Sequence, residues 1–267
     1  MTTLTSIDGT QIAYDKLGKG PAIILVDGAL AHRAFYGLVS LADLLADRFT
    51  AYTYDRRGRG ESSDAAQERG APFAIDPEVE DVEALIDDAG GSACVFGISS
   101  GAALVLEAAI RLGDKIRKIA LYEAPYRTDA SEQQEWNEYV TQLGELLAAD
   151  RRGDAAALFM KLTGASNDDI EGARQSPMWP TMEAVASTLG YDSISILGEY
   201  AAIPAGAASV TVPALVMNGS ASYAFMGEAA RALARAIPHA QHRVLEGQTH
   251  DVAPEVLAPV LAEFFNK

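Results

Sequence analysis

The stretch SACVFGISSGAALVLEAAIRL, residues 92–112, joins a short apolar run to a long helical pattern through a serine between two glycines. Residues 92–98 have the continuous apolar character of a buried strand, and the alanine-rich residues 100–112 predict a helix. GISSG, residues 97–101, matches Gly-x-Ser-x-Gly and puts Ser99 at the turn between them. Such a turn forces a positive φ on the serine, and the glycines clear space where strand and helix pass closely. We interpret Ser99 as a nucleophile.

Short apolar runs alternate with helical patterns along most of the chain, which is typical of a parallel sheet with helices on both faces. The first two strands are predicted to form a hairpin, because Asp8-Gly9 is a strong tight-turn dipeptide. The predicted strands are residues 2–7, 10–17, 22–26, 49–55, 92–98, 117–125, 213–219 and 242–247. The predicted helices outside 126–206 are residues 35–47, 76–88, 100–112, 226–236 and 253–265.

Residues 126–206 depart from this alternation, because no buried strand is visible there and several helices are predicted instead. Met178 and Trp179 give this segment apolar bulk. We expect a helical lid over 126–206, inserted into a core formed by 1–125 and 207–267. Its predicted helices are residues 131–150, 153–164, 181–191 and 193–200.

Charge and cysteine content exclude several classes of function. The net charge of −16, from 37 acidic against 21 basic residues, gives an acidic surface that would repel nucleic acids and anionic membranes. Cys94 is the one cysteine, so no intrachain disulfide or cysteine metal cluster can form. No secretory signal and no apolar segment of about 18 residues is visible. We expect a cytoplasmic protein with a small-molecule substrate and no nucleic-acid or membrane partner, and a homodimer stays open.

His250 is the candidate general base among the four histidines. It follows the last predicted strand, at the carboxyl edge of the sheet where the Ser99 turn also lies and where open α/β sheets gather their sites. His239 and His242 precede or begin that strand, so they fall at the opposite edge. His32 follows an earlier strand and is expected to border the pocket.

A loop for binding a negatively charged oxygen is predicted at VDGAL, residues 26–30. Gly28 lets the backbone approach a ligand, and the Ala29 amide is a candidate donor there. The Ser100 amide is the second candidate, because it lies at the N-terminus of the helix that follows Ser99. Gly28, Ala29 and Ser100 are therefore the expected oxyanion hole.

Together with YDRRGRGES at 54–62 and GQTHDV at 247–252, these motifs resemble those of the α/β-hydrolase superfamily along the whole chain. The resemblance implies an α/β-hydrolase fold, with a mostly parallel eight-stranded sheet, helices on both faces and a helical lid insertion. It also implies a catalytic triad that needs no metal and no cofactor. The chain departs from the family in two places. Asp27 stands where a histidine usually precedes the oxyanion glycine, and Ser222 stands where most members have an aspartate, three residues after Gly219.

Glu123 is the candidate acid, because it ends the sixth strand beside the nucleophile strand and keeps the order serine, acid, histidine. A charge is needed, since a neutral isostere of the acid lowers turnover by about 10⁴ in a serine protease. Asp251 can hardly reach the far nitrogen of the adjacent histidine, and Glu246 lies within or at the end of the last strand, where either direction is open to its side chain. Asp27 would repel the anionic intermediate unless it is turned away to fix the oxyanion loop or Arg33. The alternative for Glu123 is a bond to lid backbone or to Arg127. A strand-six carboxylate beside these motifs is similar to the arrangement in fungal zearalenone-type lactone hydrolases.

These residues predict acyl transfer from an ester or lactone to water through a Ser-His-Glu triad. The apolar lid favours an uncharged hydrophobic substrate. Carbon-carbon bond hydrolysis, cofactor-free haloperoxidase activity, and ligand binding by a vestigial site stay open as alternatives. A bond between Glu123 and His250 would favour an enzyme. The pocket is expected to include His32, Met178, Trp179, Ser222 and Tyr223.

Overall fold

One mixed sheet of eight strands forms the centre of the computed structural model, which describes residues 2–266. Its strands lie in the order β1-β2-β4-β3-β5-β6-β7-β8. Strand β2 is antiparallel to β1 and β4, and the remaining neighbours in this sheet are parallel. The predicted mostly parallel eight-stranded sheet is confirmed. The strands are β1 (Thr2–Thr5), β2 (Gln11–Gly18), β3 (Ala22–Val26), β4 (Thr50–Tyr54), β5 (Ala93–Ile98), β6 (Ile116–Tyr122), β7 (Ala214–Gly219) and β8 (Gln241–Leu245).

Helices cover both faces of the sheet, as β3 illustrates. Every residue of β3 is buried, because its side chains alternate between two apolar cores. Ile23 packs in the core under α1 and α10, whereas Ile24 packs in the core under α3 and α4. The helices are α1 (Val39–Leu45), α2 (Ala65–Glu68), α3 (Asp76–Asp88), α4 (Ser100–Leu112), α5 (Ala130–Ala148), α6 (Arg152–Leu162), α7 (Asn167–Gln175), α8 (Trp179–Val185), α9 (Ala224–Ala236) and α10 (Pro254–Asn266).

The topology brings four chain segments to one edge of the sheet. Strands β3, β5, β6 and β7 are consecutive neighbours and run parallel. The residues that follow them therefore meet at their common carboxyl edge. Asp27, Ser99, Glu123 and Ser220 are the first residues after these four strands.

The segment between β6 and β7 holds α5 to α8, followed by a π-helical segment at Gly190–Ile196 and a 3-10 turn at Ala205–Ser209. Helix α7 was not predicted from the sequence, although a capping box between Ser166 and Asp169 starts it. The predicted helices over 181–191 and 193–200 are replaced by the shorter α8, a 3-10 turn and the π-helical segment. The limits of the lid at 126 and 206 stay a prediction.

Within residues 2–266, none of the helices combines the length and the apolar character that crossing a bilayer requires.

Candidate active site

Ser99 lies in a strained turn between β5 and α4. Its φ of 56° and ψ of −129° are unfavourable for a residue with a side chain. The turn depends on glycine, because a Cβ at Gly97 would lie 2.4 Å from the carbonyl oxygen of Gly101. The Ser99 amide donates a 2.9 Å hydrogen bond to the carbonyl of Tyr122 at the end of β6. The serine is thus fixed to the strand that carries Glu123.

Glu123 and His250 are in direct contact, with 2.7 Å between Oε2 and Nδ1. Glu123 is buried, with 1% of its surface exposed. Its Oε1 accepts a 2.8 Å hydrogen bond from the Gly219 amide, and its Oε2 accepts one of 2.8 Å from the Ser222 hydroxyl. With its proton on Nδ1 and donated to Glu123, His250 keeps Nε2 free to accept a proton.

No other carboxylate competes for this position in the part of the chain that the structure describes. Asp251, Glu246 and Asp27 form no ion pair with His250 within 4.0 Å, and Arg127 forms none with Glu123. Glu123 itself has a positive φ of 50°, which is uncommon for a residue with a side chain. Backbone strain of this kind persists where the surrounding structure fixes the residue. At Glu123 that fixing includes the 3.0 Å hydrogen bond from its amide to the carbonyl of Met217.

Ser99 and His250 line the same cavity, which has a volume of about 720 Å³. Its walls carry more apolar than polar surface, and they come from the sheet edge and from the segment between β6 and β7. A concave, mainly apolar space of this size suits a small organic molecule. The large apolar side chains of the wall include Phe35, Trp136, Phe159, Met182, Phe225 and Met226.

The predicted oxyanion loop borders Ser99. A Cβ added to Gly28 would lie 3.0 Å from the Cβ of Ser99, so the absence of a side chain permits this approach. Gly28, Ala29 and Ser100 all line the cavity. Neither the Ala29 amide nor the Ser100 amide donates a hydrogen bond to another group in residues 2–266. Both donors are free for a negatively charged oxygen of a ligand.

A buried ionic cluster that was not predicted from the sequence adjoins this loop. Asp192, in the π-helical segment, accepts 2.7 Å hydrogen bonds from Arg56, Arg59 and the Ser100 hydroxyl. All four residues are buried. Burial opposes ionisation of Asp192, but the two guanidinium groups and the Ser100 hydroxyl outweigh it and hold the pKa of Asp192 below its usual value.

The same arginines hold the oxyanion loop by its carbonyl oxygens. Arg59 donates a 2.6 Å hydrogen bond to the Gly28 carbonyl, and Arg56 donates one of 3.2 Å to the Asp27 carbonyl. Glu78 completes the cluster through hydrogen bonds of 2.9 and 3.0 Å from Arg56. The cluster therefore connects the segment between β6 and β7 with the backbone of the loop and with the start of α4.

Asp27 is buried beside this cluster, and its environment differs from that of Asp192. Its carboxylate accepts a long hydrogen bond of 3.4 Å from the Leu38 amide. Burial raises the pKa of Asp27 to about 7, although the Leu38 amide, Arg59 and Arg56 oppose the shift. We therefore expect the charge of Asp27 to change near neutral pH.

Of the predicted pocket residues, Tyr223 lines the cavity, whereas His32, Met178, Trp179 and Ser222 do not. His32 is buried and stacks on Phe35, and it is Phe35 that lines the cavity. The hydroxyl of Ser222 is instead bonded to Glu123.

Met178 and Trp179 lie outside the cavity wall, because α8 presents another side chain to the cavity. Trp179 packs with Ala156 and Ala186 in a small core of its own. Met178 precedes α8 and is half exposed. Met182, three residues after Trp179, lines the cavity instead. The sequence showed that this segment is apolar, but it did not show which side chains line the cavity.

Within the described residues, no group of three or more histidine, cysteine, aspartate or glutamate side chains is arranged as a metal site.

Comparisons with known proteins agree with this architecture. A model described as alpha/beta hydrolase family matches residues 23–260. An alpha/beta hydrolase from Sphaerobacter thermophilus is 46% identical, with a TM-score of 0.84 over 99% of this chain and 100% of that chain. The enol-lactonase from Burkholderia xenovorans is 22% identical, with a TM-score of 0.71 over 100% of both chains, and shows likeness of fold alone.

Among curated proteins, the uncharacterized hydrolase YraK of Bacillus subtilis is 33% identical over 118 residues. The match covers 44% of this chain and 42% of that protein, so it spans less than half of either.

Proposed function

The chain belongs to the alpha/beta hydrolase family and has its fold, and on that premise we propose that it is a serine hydrolase cleaving an ester or lactone. The observation that carries this proposal is the 2.7 Å contact between Oε2 of buried Glu123 and Nδ1 of His250. A carboxylate there fixes the histidine tautomer and stabilises the imidazolium that forms during acyl transfer. A vestigial ligand-binding site would not need that contact.

The proposed reaction has two stages. His250 removes the proton of the Ser99 hydroxyl, and the oxygen attacks the substrate carbonyl while the Ala29 and Ser100 amides stabilise the oxyanion. The histidine returns the proton to the leaving oxygen, and an acyl-enzyme remains. The alcohol of an ester departs, whereas that of an opened lactone stays attached to the acyl group. His250 then removes a proton from water, which attacks the acyl-enzyme, and returns that proton to the Ser99 oxygen as the acyl bond breaks and the acid is released.

The apolar wall of the cavity supports a substrate with a hydrophobic body. We therefore propose that the substrate is a small molecule with a hydrophobic body, and that it is cleaved without a cofactor.

The proposal is tested by labelling with a fluorophosphonate and by hydrolysis of p-nitrophenyl butyrate. We expect the label on Ser99, and Ser99→Ala should lose both labelling and turnover. Ser193→Ala is the matched control, because Ser193 also lines the cavity but its hydroxyl is bonded to Tyr139. Labelling should survive in that variant. A wild-type protein that neither labels nor cleaves any ester would contradict the proposal and favour ligand binding.

A further inference from the structure

Arg127 places a guanidinium group in the wall of the cavity. Its Cζ lies 3.7 Å from the centre of the Phe225 ring and 5.8 Å from the centre of the Trp136 ring. Phe225, Trp136 and Arg127 all line the cavity. The Arg127 amide donates a 2.8 Å hydrogen bond to the Ala201 carbonyl, which holds the backbone at this point. The charged head therefore lies where a ligand would meet it.

The guanidinium of Arg127 has no carboxylate partner in residues 2–266, whereas the three fully buried arginines, Arg56, Arg57 and Arg59, all form ion pairs. Arg56 and Arg59 share Asp192, and Arg57 is bonded to Asp81. Arg127 forms no ion pair within 4.0 Å, and its buried Nε has no hydrogen-bond partner.

The guanidinium of Arg127 contacts an aromatic ring but donates no hydrogen bond within residues 2–266. Contact with the face of Phe225 stabilises the cation, but it leaves the N–H donors in the guanidinium plane unused. Burial lowers the pKa of Arg127, although Glu132 and Glu135 oppose this shift from a distance. An arginine in this condition is suited to a planar carboxylate, which accepts two parallel hydrogen bonds from it.

The other charges of the cavity wall do not prevent an anion from binding there. Asp192 is neutralised by Arg56 and Arg59. Asp251 is exposed, and Asp27 has a pKa of about 7 because of its burial. Apart from His250, Arg127 is the one basic side chain among the described residues of the wall. It therefore gives the cavity a local positive site inside a strongly acidic protein.

We propose that Arg127 binds a carboxylate of the substrate, so that the enzyme acts on esters or lactones that carry a carboxylate on a hydrophobic body. The inference rests on the proposed function and narrows its substrate class. It replaces the expectation of an uncharged substrate, which took account of the apolar lid but not of Arg127.

Two substrate pairs test the proposal, because the carboxylate can lie on either side of the scissile bond. Monomethyl adipate is paired with methyl hexanoate, and 4-acetoxybenzoate with 4-methylphenyl acetate, so that a methyl group replaces the carboxylate in each pair. In the wild type we expect kcat/KM to favour the charged member of at least one pair by about tenfold or more. Arg127→Met should abolish this preference, because kcat/KM should fall more for the charged member of a pair than for its methyl analogue.

Arg174→Met is the matched control. Arg174 also lies over an aromatic ring, 5.0 Å from the centre of Trp179, but it is paired with Asp154 at 2.7 Å and lies outside the cavity. The preference should persist in this variant. Arg127→Lys, which keeps the charge but loses the planar donors, should give an intermediate preference and serves if Arg127→Met does not fold.

Binding of adipate to the Ser99→Ala variant, measured by calorimetry, separates this inference from the proposed hydrolysis. We expect binding that is lost in Ser99→Ala/Arg127→Met. If adipate binds in this way but the wild type has no esterase activity, the proposed hydrolysis is contradicted and the carboxylate site is supported. The carboxylate site is overturned if neither pair shows a preference, if Arg127→Met lowers both members of a pair equally, or if adipate binds independently of Arg127.

Discussion

The Ser222 hydroxyl donates a 2.8 Å hydrogen bond to Oε2 of Glu123, the oxygen that also contacts Nδ1 of His250. This contact is possible because β6 and β7 are parallel neighbours, with Tyr122 paired to Met217 in register. Side chains beyond the ends of the two strands can therefore reach the same point. Where most of the superfamily is expected to have an aspartate after the seventh strand, this chain has a hydroxyl that supports a carboxylate from the sixth.

Glu123→Gln removes the charge of the carboxylate, whereas Ser222→Ala removes only the hydrogen bond that the Ser222 hydroxyl donates to it. Glu123→Gln should lower kcat for p-nitrophenyl butyrate by about 10³ to 10⁴, because a neutral amide cannot stabilise the imidazolium. Ser222→Ala should lower it by less than about tenfold, since one hydrogen bond of the carboxylate is lost. Steady-state kinetics of the two variants, at equal content of folded protein, provide the measurement. Comparable losses in both variants would contradict the assignment of the acid to Glu123.

The acid can also be moved back to the seventh strand. Glu123→Ala should be nearly inactive, and Glu123→Ala/Ser222→Asp should recover part of kcat, because the new carboxylate starts 2.8 Å from the position of the lost one. Asp251, next to the histidine, is present in both variants. An inactive Glu123→Ala variant would therefore also show that this nearby charge cannot replace Glu123. If the single and double variants have the same kcat, the space around His250 does not accept an acid from β7.

Local pattern was enough to predict that Ser99, Glu123 and His250 lie together at one edge of the sheet. The Ser99 turn follows from a strand, two glycines and a helix that lie within about twenty residues. The Glu123 position follows from chain order and from the end of a single strand. His250 required only the assignment of the last strand. Each of these predictions uses the sheet edge, which the alternation of strands and helices already defines.

The ionic cluster could not be predicted in this way, because its members are distant in sequence. Ser100 and Asp192 are separated by 92 positions. Arg56 and Arg59 lie in a glycine-rich loop, where arginines are normally exposed. The one available signal was Asp192 itself, a single acid in the otherwise uncharged run TLGYDSISIL at 188–197. The sequence alone did not reveal that this run is partly π-helical, a geometry often found at functional sites.

Asp192→Asn should destabilise the protein strongly, because it leaves Arg59 buried without an ion-pair partner and leaves Arg56 with Glu78 alone. Breaking a buried ion pair by removing one partner costs about 3–5 kcal/mol of the free energy of unfolding. We expect kcat to fall as well, since Arg59 holds the Gly28 carbonyl of the oxyanion loop. Equilibrium unfolding in urea and steady-state kinetics provide the two measurements.

The control for Asp192 is Asp154→Asn, which removes the partner of Arg174 at the surface. That change should cost less than about 1 kcal/mol, because exposed ion pairs contribute little. An Asp192→Asn variant no less stable than this control would show that the buried cluster does not depend on the charge of Asp192.

Asp27→Asn should change how stability depends on pH. Burial raises the pKa of Asp27 from its usual value of 3.8 to about 7. Between these values the folded state binds a proton that the unfolded state has released, so this group makes the free energy of unfolding fall as pH rises. The fall is about 1.4 kcal/mol per pH unit and is complete above pH 7. The asparagine variant lacks this contribution, and its side-chain oxygen can still accept from the Leu38 amide.

The stability of Asp27→Asn relative to the wild type should therefore increase between pH 4 and pH 7 and stay constant above that range. Urea unfolding of both proteins at pH 5, 6, 7 and 8 measures the difference, in which the other titrating groups cancel. A difference that does not change with pH would mean that Asp27 is ionised throughout this range. It would then carry a full negative charge beside the oxyanion loop, where it would oppose the anionic intermediate.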